Sequence, residues 1–457
     1  MAQPDDQSPN QLYLPFAQHH YGTGSDSETS ASKTTTNFCP DESVSNQAAA
    51  STSSVQNLPP VQHKYMTQYS WAKALLLDCA RAIADEDSSR IQSVMWILNE
   101  SASPYGDSDQ RIASYFVQAL FCKITGTGAR CQHSLSAAAE KTYCFESMRN
   151  MILQFQEASP WTTFGHVAGN GALMEAMEGE ARIHIIDISS TFCTQWPTFL
   201  EALATQTKET PFLHLTTIVI SPEEAAMTVM KQVMIRLDRF ARLMGVPFES
   251  SVIQQPALED LDLAILNLRE DEALAINCIQ TLHHISEVVA ADDNQQHSCS
   301  PRDKVLSTFR SAKPKIMIIM EDEANLVWQD FVGCFGEALR FYSLYFESLE
   351  ESFPRASNER LMLERNCGRK LVNLLSCDPS DCTERQETGV HWDSRLRQAG
   401  FEPAPFSPDV VDDVQALLKR YKKGWGLDFV DNRLYLTWKE QMVVCSTAWK
   451  LITDPSP

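Results

Sequence analysis

The sequence predicts an open α/β sheet of the doubly wound type, with a helical cap and a disordered tail in front of it. Three observations lead to this class. Residues 1–66 lack apolar periodicity, residues 71–150 have helical spacing without a strand-like run, and the chain after residue 180 alternates short β-branched runs with helical patterns. Near-continuous apolar strands separated by helices are typical of a parallel sheet covered on both faces.

The tail is rich in Ser, Thr, Asn and Gln. This composition buries too little apolar surface to offset the entropy of ordering, so we predict disorder over residues 1–66. Its one apolar cluster is Leu12, Leu14 and Phe16, which leaves a short binding motif as an alternative to a plain solvated tail. Order is expected to begin near Trp71.

The region 71–150 is predicted to be a helical subdomain. Pro104 and Gly106 indicate a turn inside it. Apolar residues recur three and four positions apart in three segments: Leu75, Leu76, Cys79 and Ile83; Ile91, Val94, Met95 and Leu98; Ile112, Phe116, Ala119 and Leu120.

The sheet is predicted from four strand-like runs, namely Ile183–Ile188, Leu215–Ile220, Leu261–Leu268 and Lys315–Met320. A helix between the second and third runs is expected to end at Gly245. Its apolar stripe favours a core-facing helix over an adaptable binding surface: Met227, Met230, Met234, Leu237, Ala241 and Met244.

Two features follow toward the C-terminus. An aromatic helix is expected to be buried on several sides, in the core or under a partner, because its apolar residues exceed one stripe: Phe331, Phe335, Leu339, Phe341, Tyr342, Tyr345, Phe346 and Leu349. Further on, Leu434–Trp438 and Met442–Trp449 predict a hairpin that adds an antiparallel edge to the parallel sheet.

Composition excludes several classes of function. With 38 Lys plus Arg against 59 Asp plus Glu, the net charge is −21, which opposes binding nucleic acid mainly through phosphates. The densest basic stretch, Lys419–Lys423, is interpreted as the polar end of a helix. The 13 cysteines contain no CxxC pair, and no run is long enough to span a bilayer, so we expect an intracellular protein with reduced thiols and no metal cluster.

The sequence offers weak candidates for catalysis or cofactor binding. Asp187 ends the first strand, but the turn Ile188–Cys193 has no glycine to let a cofactor approach, so Asp187 is interpreted as a loop-fixing or capping carboxylate. Gly169-Asn170-Gly171 lies inside a helical pattern and indicates a close helix contact.

Two further polar groups, an acidic triplet and a histidine pair, are also weak candidates for a functional site. Glu321-Asp322-Glu323 form either an acid–base pair or the cap of the next helix, and capping is favoured because no nucleophile accompanies them. His283 and His284 fall on an apolar helical stretch, where one is expected to face the core and the other solvent, without a metal.

Four motifs in order resemble those of the plant GRAS family of transcriptional regulators. RIHIIDIS and the following Gln195-Trp196-Pro197 resemble its VHIID motif, and PKIMIIMEDEAN with the helix after it resembles its PFYRE region. Arg360, Glu364, Gly368 and Arg369 match its RxxxE-type element, and LTWKEQMVVCSTAWK resembles its SAW ending. The resemblance covers about residues 67–452. The motif residues, interpreted as mainly structural with partner binding as the alternative, are Ile183, His184, Ile185, Ile186, Asp187, Gln195, Trp196, Pro197, Arg360, Glu364, Arg369, Trp438, Ser446, Ala448 and Trp449.

Within the family, the segments ASPYGDSDQRIASYFVQALF, SPWTTFGHVAGNGALMEAMEGE and CTQWPTFLEALAT most resemble the SHORT-ROOT branch. The helical stretches 71–131 and 222–285 fall where the family has leucine-rich regions. Two departures are Thr447, inside the SAW ending, and Cys193, where the family usually has glycine.

The resemblance implies a Rossmann-like, methyltransferase-like fold that acts through protein contacts in the nucleus, with the cytoplasm as a second location. It implies a SCARECROW-type GRAS partner bound through the cap, zinc-finger proteins of the C2H2 INDETERMINATE DOMAIN type, and only indirect contact with DNA. No catalytic, cofactor-binding or metal residue is expected. The alternative is a small-molecule-binding or methyltransferase-like enzyme that retains the Rossmann pocket.

The predicted tail, cap and core together give a domain organisation. A tail over 1–66 precedes a GRAS domain over 67–455. Within it, 67–150 is mainly helical cap and 151–455 mainly α/β core, to which further cap helices can belong.

Overall fold

The computed structural model describes residues 70–140, 145–206, 208–221, 224–285, 300–327 and 330–452. The predicted tail, with Leu12, Leu14 and Phe16, lies outside these described residues.

Before the first strand the described chain is helical, as the apolar spacing predicts. Asp107 accepts from the backbone of Gln110, whose side chain bonds back to Asp107, so the third helix begins with a capping box. The helices are α1 (Trp71–Ala84), α2 (Ser88–Ser101), α3 (Ser108–Ile124), α4 (Gly128–Glu140), α5 (Phe145–Ala158) and α6 (Thr163–Ala176).

From residue 182 strands and helices alternate. The elements are β1 (Arg182–Ser189), α7 (Trp196–Gln206), β2 (Phe212–Val219), α8 (Glu224–Met244), β3 (Phe248–Gln254), β4 (Ala273–Ile279), α9 (Pro301–Ser311), β5 (Ile316–Asp322), α10 (Phe331–Ser352), α11 (Asn358–Ser376), α12 (Gly389–Gln398), β6 (Phe401–Pro403), α13 (Pro408–Leu418), β7 (Trp425–Val430), β8 (Arg433–Trp438) and β9 (Gln441–Leu451).

These strands form one mixed sheet with the order β3-β2-β1-β4-β5-β9-β8-β7, and β6 pairs with β9. The first five strands are parallel. Strand β9 runs antiparallel to both β5 and β8, which confirms the predicted hairpin and its antiparallel pairing with the parallel sheet. The strand order reverses between β1 and β4, the place where doubly wound sheets bind ligands.

The prediction of a third strand over Leu261–Leu268 is wrong. This segment contains the short 3₁₀ turn Leu263–Leu266, which begins where Asp262 accepts from the backbone N–H of Ala264. It ends at Asn267 in the left-handed conformation, with φ of 50°. Because that backbone is incompatible with a strand, the pairing falls to β3 and β4, which the sequence pattern missed. In the described part of 222–285, α8 is therefore the only α-helix, and the other helical turns are short 3₁₀ turns.

Helix α6 lies very close to the sheet and to α13. A Cβ on Gly165 would stand 1.9 Å from the sulfur of Met320 in β5, and a Cβ on Gly171 would stand 2.6 Å from Val410 in α13. The prediction that these helical glycines mark a close contact is thus confirmed at Gly171, because a larger residue would push the two helices apart.

The cap combines the helices that precede β1 with α10 and α11, which follow β5. Helix α1 packs against α2, α3 and α10, and α11 packs against α3, α4 and α5. The aromatic residues predicted to be buried on several sides of α10 include Phe335, Phe341, Tyr342 and Phe346, all of which are buried. The methionine stripe of α8 likewise faces the core at Met227, Met230 and Met234.

Candidate functional site

The point where the strand order reverses is occupied by polar side chains of the chain itself. Asp187 in β1 and Asn277 in β4 lie directly opposite each other in the parallel register. Both side chains are fully buried. A ligand site in this fold is expected here, so the contacts of these two residues decide what the site can do.

Asp187 accepts two hydrogen bonds that hold the following loop. The indole Nε1 of Trp196 donates to Asp187 Oδ2 over 2.8 Å, and Asn277 Nδ2 donates to Oδ1 over 3.0 Å. Burial raises the pKa of Asp187, while these donors lower it by favouring the carboxylate. Asp187 therefore acts as the loop-fixing carboxylate that the sequence indicates.

A chain of amides extends from this pair toward α6. Gln195 Nε2 donates to Asn170 Oδ1 over 3.0 Å, and Gln195 Oε1 accepts from Asn277 Nδ2 over 3.0 Å. Asn170 in turn donates to the hydroxyl of Thr198 over 3.0 Å. The side-chain amides of this network are thus used by neighbours within the described residues, which leaves them little capacity to bind a ligand.

The loop between β1 and α7 replaces the glycine-rich turn of a cofactor site. Phe192 and Cys193 have φ values of 51° and 59°, a left-handed conformation that favours glycine. The Cys193 sulfur lies 3.5 Å from Asp187 Oδ2 and 3.8 Å from the sulfur of Met230 in α8. Cys193 therefore fills space that the family's usual glycine would leave open.

The rest of the VHIID motif belongs to the core of β1. Ile183, Ile185 and Ile186 are buried, and Pro197 is the second residue of α7. His184 points to a different cluster, where its ring stacks on His214 at 3.8 Å with 16° between the planes. Glu272 lies 3.1 Å from His214 and also binds Arg182 and Arg269.

The RxxxE residues lie on α11, away from the carboxyl edge of β1. Arg360 donates to Glu364 over 2.9 Å, and the same carboxylate binds Arg111 of α3, all three side chains being buried. Arg369 is separate from this cluster and bonds to Asn366. The ion pair between Arg111 and Glu364 thus connects two cap helices, α3 and α11.

The SAW residues form the antiparallel half of the sheet. Ser446 and Ala448 of β9 lie opposite Met320 and Ile318 of β5. Trp438 packs on Trp425 with the ring centroids 4.7 Å apart.

Thr447, named above as a departure in the SAW ending, has a structural role in strand β9. The indole of Trp449 donates to the Thr447 hydroxyl over 2.9 Å. Trp449 itself is buried in the hydrophobic core. Thr447 therefore gives this indole a hydrogen-bond acceptor inside the core.

The acidic triplet at the end of β5, Glu321-Asp322-Glu323, does not cap the next helix, because Asp330 accepts from Gly333 at the start of α10. Glu321 instead accepts from the backbone N–H groups of Thr281 and Leu282, over 2.9 and 2.7 Å. Asp322 accepts from Trp161, and Glu323 accepts from Gly389. The three carboxylates therefore hold three different segments.

The histidine pair lies in a single 3₁₀ turn, Leu282–His284, rather than in a longer helix. The turn is short because Glu321 binds its first N–H groups and the backbone is extended again at Ile285. His283 is buried and the His284 side chain is 34% exposed, in line with the prediction of one core-facing and one solvated histidine.

The sequence interpretation missed several partners of the motif residues. Asn277 lies in the apolar strand ALAINCI, and Arg111 lies on the buried face of α3. A single polar residue inside an apolar pattern is the signal that marks such positions, because burial without a partner is costly. The same signal applies to His214 in β2.

The described surface has an apolar part on the cap helices and a basic stretch after α13. Large apolar side chains are exposed on α2, α3 and the turn between them: Trp96, Ile97, Tyr105, Phe121 and Ile124. The basic stretch Lys419–Lys423 follows α13 directly, as predicted for a helix end. None of the described helices has the length and apolar character needed to cross a membrane.

Comparison with known proteins shows similarity along most of the chain. The model of the GRAS domain family matches residues 72–450. Protein SHORT-ROOT of Arabidopsis thaliana is 48% identical over 415 residues, with 87% of this chain and 76% of that protein covered. Scarecrow-like transcription factor PAT1 of the same plant is 31% identical over 380 residues, with 83% of this chain and 76% of that protein covered.

The fold is similar to that in the crystal structure of SCL7 in Oryza sativa. The TM-score is 0.71 at 26% sequence identity, and the match covers 84% of this chain and 100% of that chain. The combination of α-helices with a mixed sheet is therefore shared with a solved relative.

Proposed function

The chain belongs to the GRAS domain family, in its SHORT-ROOT branch, and is a plant regulator of transcription in development; from this premise we propose that it acts as a non-enzymatic co-regulator in the nucleus. It would bind a SCARECROW-type GRAS protein through the helical cap. It would reach DNA through zinc-finger proteins of the C2H2 INDETERMINATE DOMAIN type. We also propose that the chain divides into a tail over 1–66 and a GRAS domain over 67–455, in which residues 67–150 form mainly the helical cap.

The observation that carries this proposal is the exposed apolar surface of the cap. Trp96 and Tyr105 are 67% and 68% exposed, and both lie on or next to α2. Large exposed aromatic side chains are enriched in the centres of protein interfaces, where they contribute much of the binding energy. This supports a partner that covers α2 and the turn after it.

The methyltransferase-like fold is proposed to serve only as a scaffold. Trp196, Cys193 and the amide network fill the edge where a cofactor would bind, and the motif residues are proposed to be mainly structural. Calorimetric titration of the full chain with S-adenosylmethionine is expected to show no binding heat. Saturable binding would favour the alternative of an enzyme or small-molecule sensor.

The co-regulator role is tested with a mobility-shift assay on a promoter fragment. The chain alone is expected to leave the DNA unshifted, because its net charge of −21 repels phosphates. A zinc-finger partner is expected to shift the DNA, and adding the chain should give a larger complex. A shift by the chain alone would contradict indirect recognition and direct attention to Lys419–Lys423.

The cap interface is tested by Trp96→Asp. Placing a charge at the centre of an apolar interface is expected to weaken association with a SCARECROW-type partner about tenfold or more, which corresponds to at least ~1.4 kcal/mol. The matched control is Leu243→Asp, since Leu243 on α8 is 69% exposed and lies outside the cap. Equal affinity of both variants for the partner would place the interface elsewhere.

A further inference from the structure

A second polar cluster lies where the 3₁₀ turn after β4 meets the segment after α11. It contains His283 and His284 of the turn and Glu384 of the segment, and we call it the His–Glu cluster. The three ligand-type atoms lie within 4.8 Å of one another. None of these residues belongs to the network around Asp187.

The distances in the His–Glu cluster approach those of a metal site. His284 Nδ1 is 3.4 Å from Glu384 Oε1, and His283 Nε2 is 3.8 Å from Glu384 Oε2. Zinc binds nitrogen and oxygen at 2.0–2.2 Å, so ligand atoms around a tetrahedral ion are about 3.4 Å apart. A small contraction would bring all three side chains to an ion.

His283 is held as a metal-ligating histidine usually is. Its Nδ1 lies 2.6 Å from Glu321 Oε2, and Glu321 is itself fixed by two backbone N–H groups. A carboxylate on one ring nitrogen sets the tautomer and leaves the lone pair of the other nitrogen free to bind a metal. Burial lowers the pKa of His283 to about 4, so the ring is neutral at pH 7.

The free nitrogen of His283 has no hydrogen-bond partner among the described residues. The His283 side chain is only 1% exposed, and Nε2 faces an oxygen of Glu384. Lys370 neutralises this oxygen of Glu384, whereas the buried Nε2 of His283 is left without a hydrogen-bond donor, which is costly unless a cation binds it. This unmet requirement is the observation that points to a ligand.

The other group of similar composition also has an unpartnered ring nitrogen, His184 Nδ1 at 3.5 Å from Glu272 Oε2, but its rings are arranged differently. His184 and His214 are stacked with 16° between their planes, so their in-plane lone pairs do not converge, and Glu272 is neutralised by two arginines. The rings of His283 and His284 are tilted by 45°. The two groups therefore provide a comparison inside one molecule.

We propose that His283, His284 and Glu384 bind one divalent transition-metal ion, with zinc favoured by the imidazole and carboxylate ligands. Lys370 competes for this site, because its ammonium lies 3.2 Å from Glu384 Oε2. The ion ties the turn after β4 to the segment after α11. The 34% exposure of His284 gives the ion a route from solvent.

The test uses the full chain, freed of metal with a chelator and titrated with zinc chloride against a chromophoric chelator. One zinc per chain is expected, with affinity at least tenfold lower in His284→Ala and Glu384→Gln. His133→Ala is the control, since His133 is exposed on α4 and far from the cluster in sequence. Zinc is also expected to raise the melting temperature of the wild type but not of His284→Ala.

Two further measurements separate this site from the cysteines and from a purely structural effect. Lys370→Met is expected to bind zinc more tightly than the wild type, because it removes the competing ammonium. Cobalt is expected to show ligand-field absorption without a thiolate charge-transfer band. The proposal is overturned by the absence of stoichiometric binding, by unchanged affinity in His284→Ala, Glu384→Gln or Lys370→Met, or by a thiolate band.

Discussion

At the scale of single residues, Asp187 and the amides around it form a chain in which each side chain orients the next. The carboxylate only accepts, so the NH₂ group of Asn277 must face it. Asn277 then presents its donor to Gln195 Oε1, and Gln195 presents its own donor to Asn170. The orientation of α6 relative to the loop after β1 therefore depends on one carboxylate.

Asp187→Asn is expected to destabilise the fold by about 1–3 kcal/mol, because the new NH₂ group would face a donor from Trp196 or from Asn277. Urea unfolding at neutral pH measures the change. The control is Asp238→Asn on the exposed face of α8, where the ion pair with Arg242 should contribute less than about 1 kcal/mol. Equal losses in the two variants would contradict the orienting role.

Glu321 should make stability depend on pH. Burial raises its pKa to about 7, although the N–H groups of Leu282 and Thr281 oppose the shift. A carboxyl whose pKa is raised on folding contributes its stability below the unfolded pKa, near 4.5, and this contribution is lost as the pH rises toward 7.

The measurement is the free energy of unfolding of the wild type and of Glu321→Gln between pH 4.5 and 7.5, in the presence of a chelator. The variant keeps an acceptor for both N–H groups but does not titrate. Relative to it, the wild type should lose at most about 1.4 kcal/mol per pH unit. A constant difference across this range would mean that Glu321 has no raised pKa.

The sequence predicts some of these residues but not their partners. Asp187 and Trp196 are in one motif, and their proximity follows from a turn of nine residues. Asn277 is ninety positions from Asp187, and nothing in a local pattern relates the two. The register between β1 and β4 therefore decides which side chains meet at the site, and a single apolar run in the sequence does not reveal that register.

At the scale of elements, the connection between α3 and α11 depends on a buried ion triad. Glu364 lies between Arg111 and Arg360, and the three side chains are at most 2% exposed. Such a triad contributes little net stability when intact but is costly to break, because removal of one partner leaves buried charge uncompensated.

Glu364→Ala is therefore expected to cost about 3–5 kcal/mol, with early loss of the cap. Hydrogen exchange of α3 and α11 measures this directly, and their amides should lose protection before those of β1. Arg242→Ala, in an exposed ion pair of α8, is the control. Unchanged protection of α3 would show that apolar packing alone holds the cap.

The elements that the sequence predicts well have unambiguous patterns. Strands β1, β2 and β5 are rich in apolar and β-branched residues, and burial on both faces favours such a composition. Strand β3 is the edge of the sheet and only partly buried, so its sequence, FESSVIQ, alternates weakly. The false strand at Leu261–Leu268 is apolar because the segment packs on the core through Leu261 and Leu266.

At the scale of the whole molecule, the charge of −21 bears on partner choice. Complementary charge mainly accelerates association, and it is screened over about 10 Å at 0.1 M salt. The association rate constant with a basic zinc-finger domain is therefore expected to fall roughly tenfold between 20 and 200 mM salt. Stopped-flow fluorescence measures it, with the dissociation rate constant as the internal control, and a salt-independent association rate would exclude electrostatic steering.

The position of β9 has a consequence for how the chain is made. This strand follows β6, β7 and β8 along the chain, yet it lies between β5 and β8 in the sheet. During synthesis, the parallel half must wait with the edge of β5 unpaired until residues 441–451 have been translated. Unpaired edges recruit other strands, so the growing polypeptide is a natural client for chaperones, and premature termination before residue 441 would yield an aggregating product.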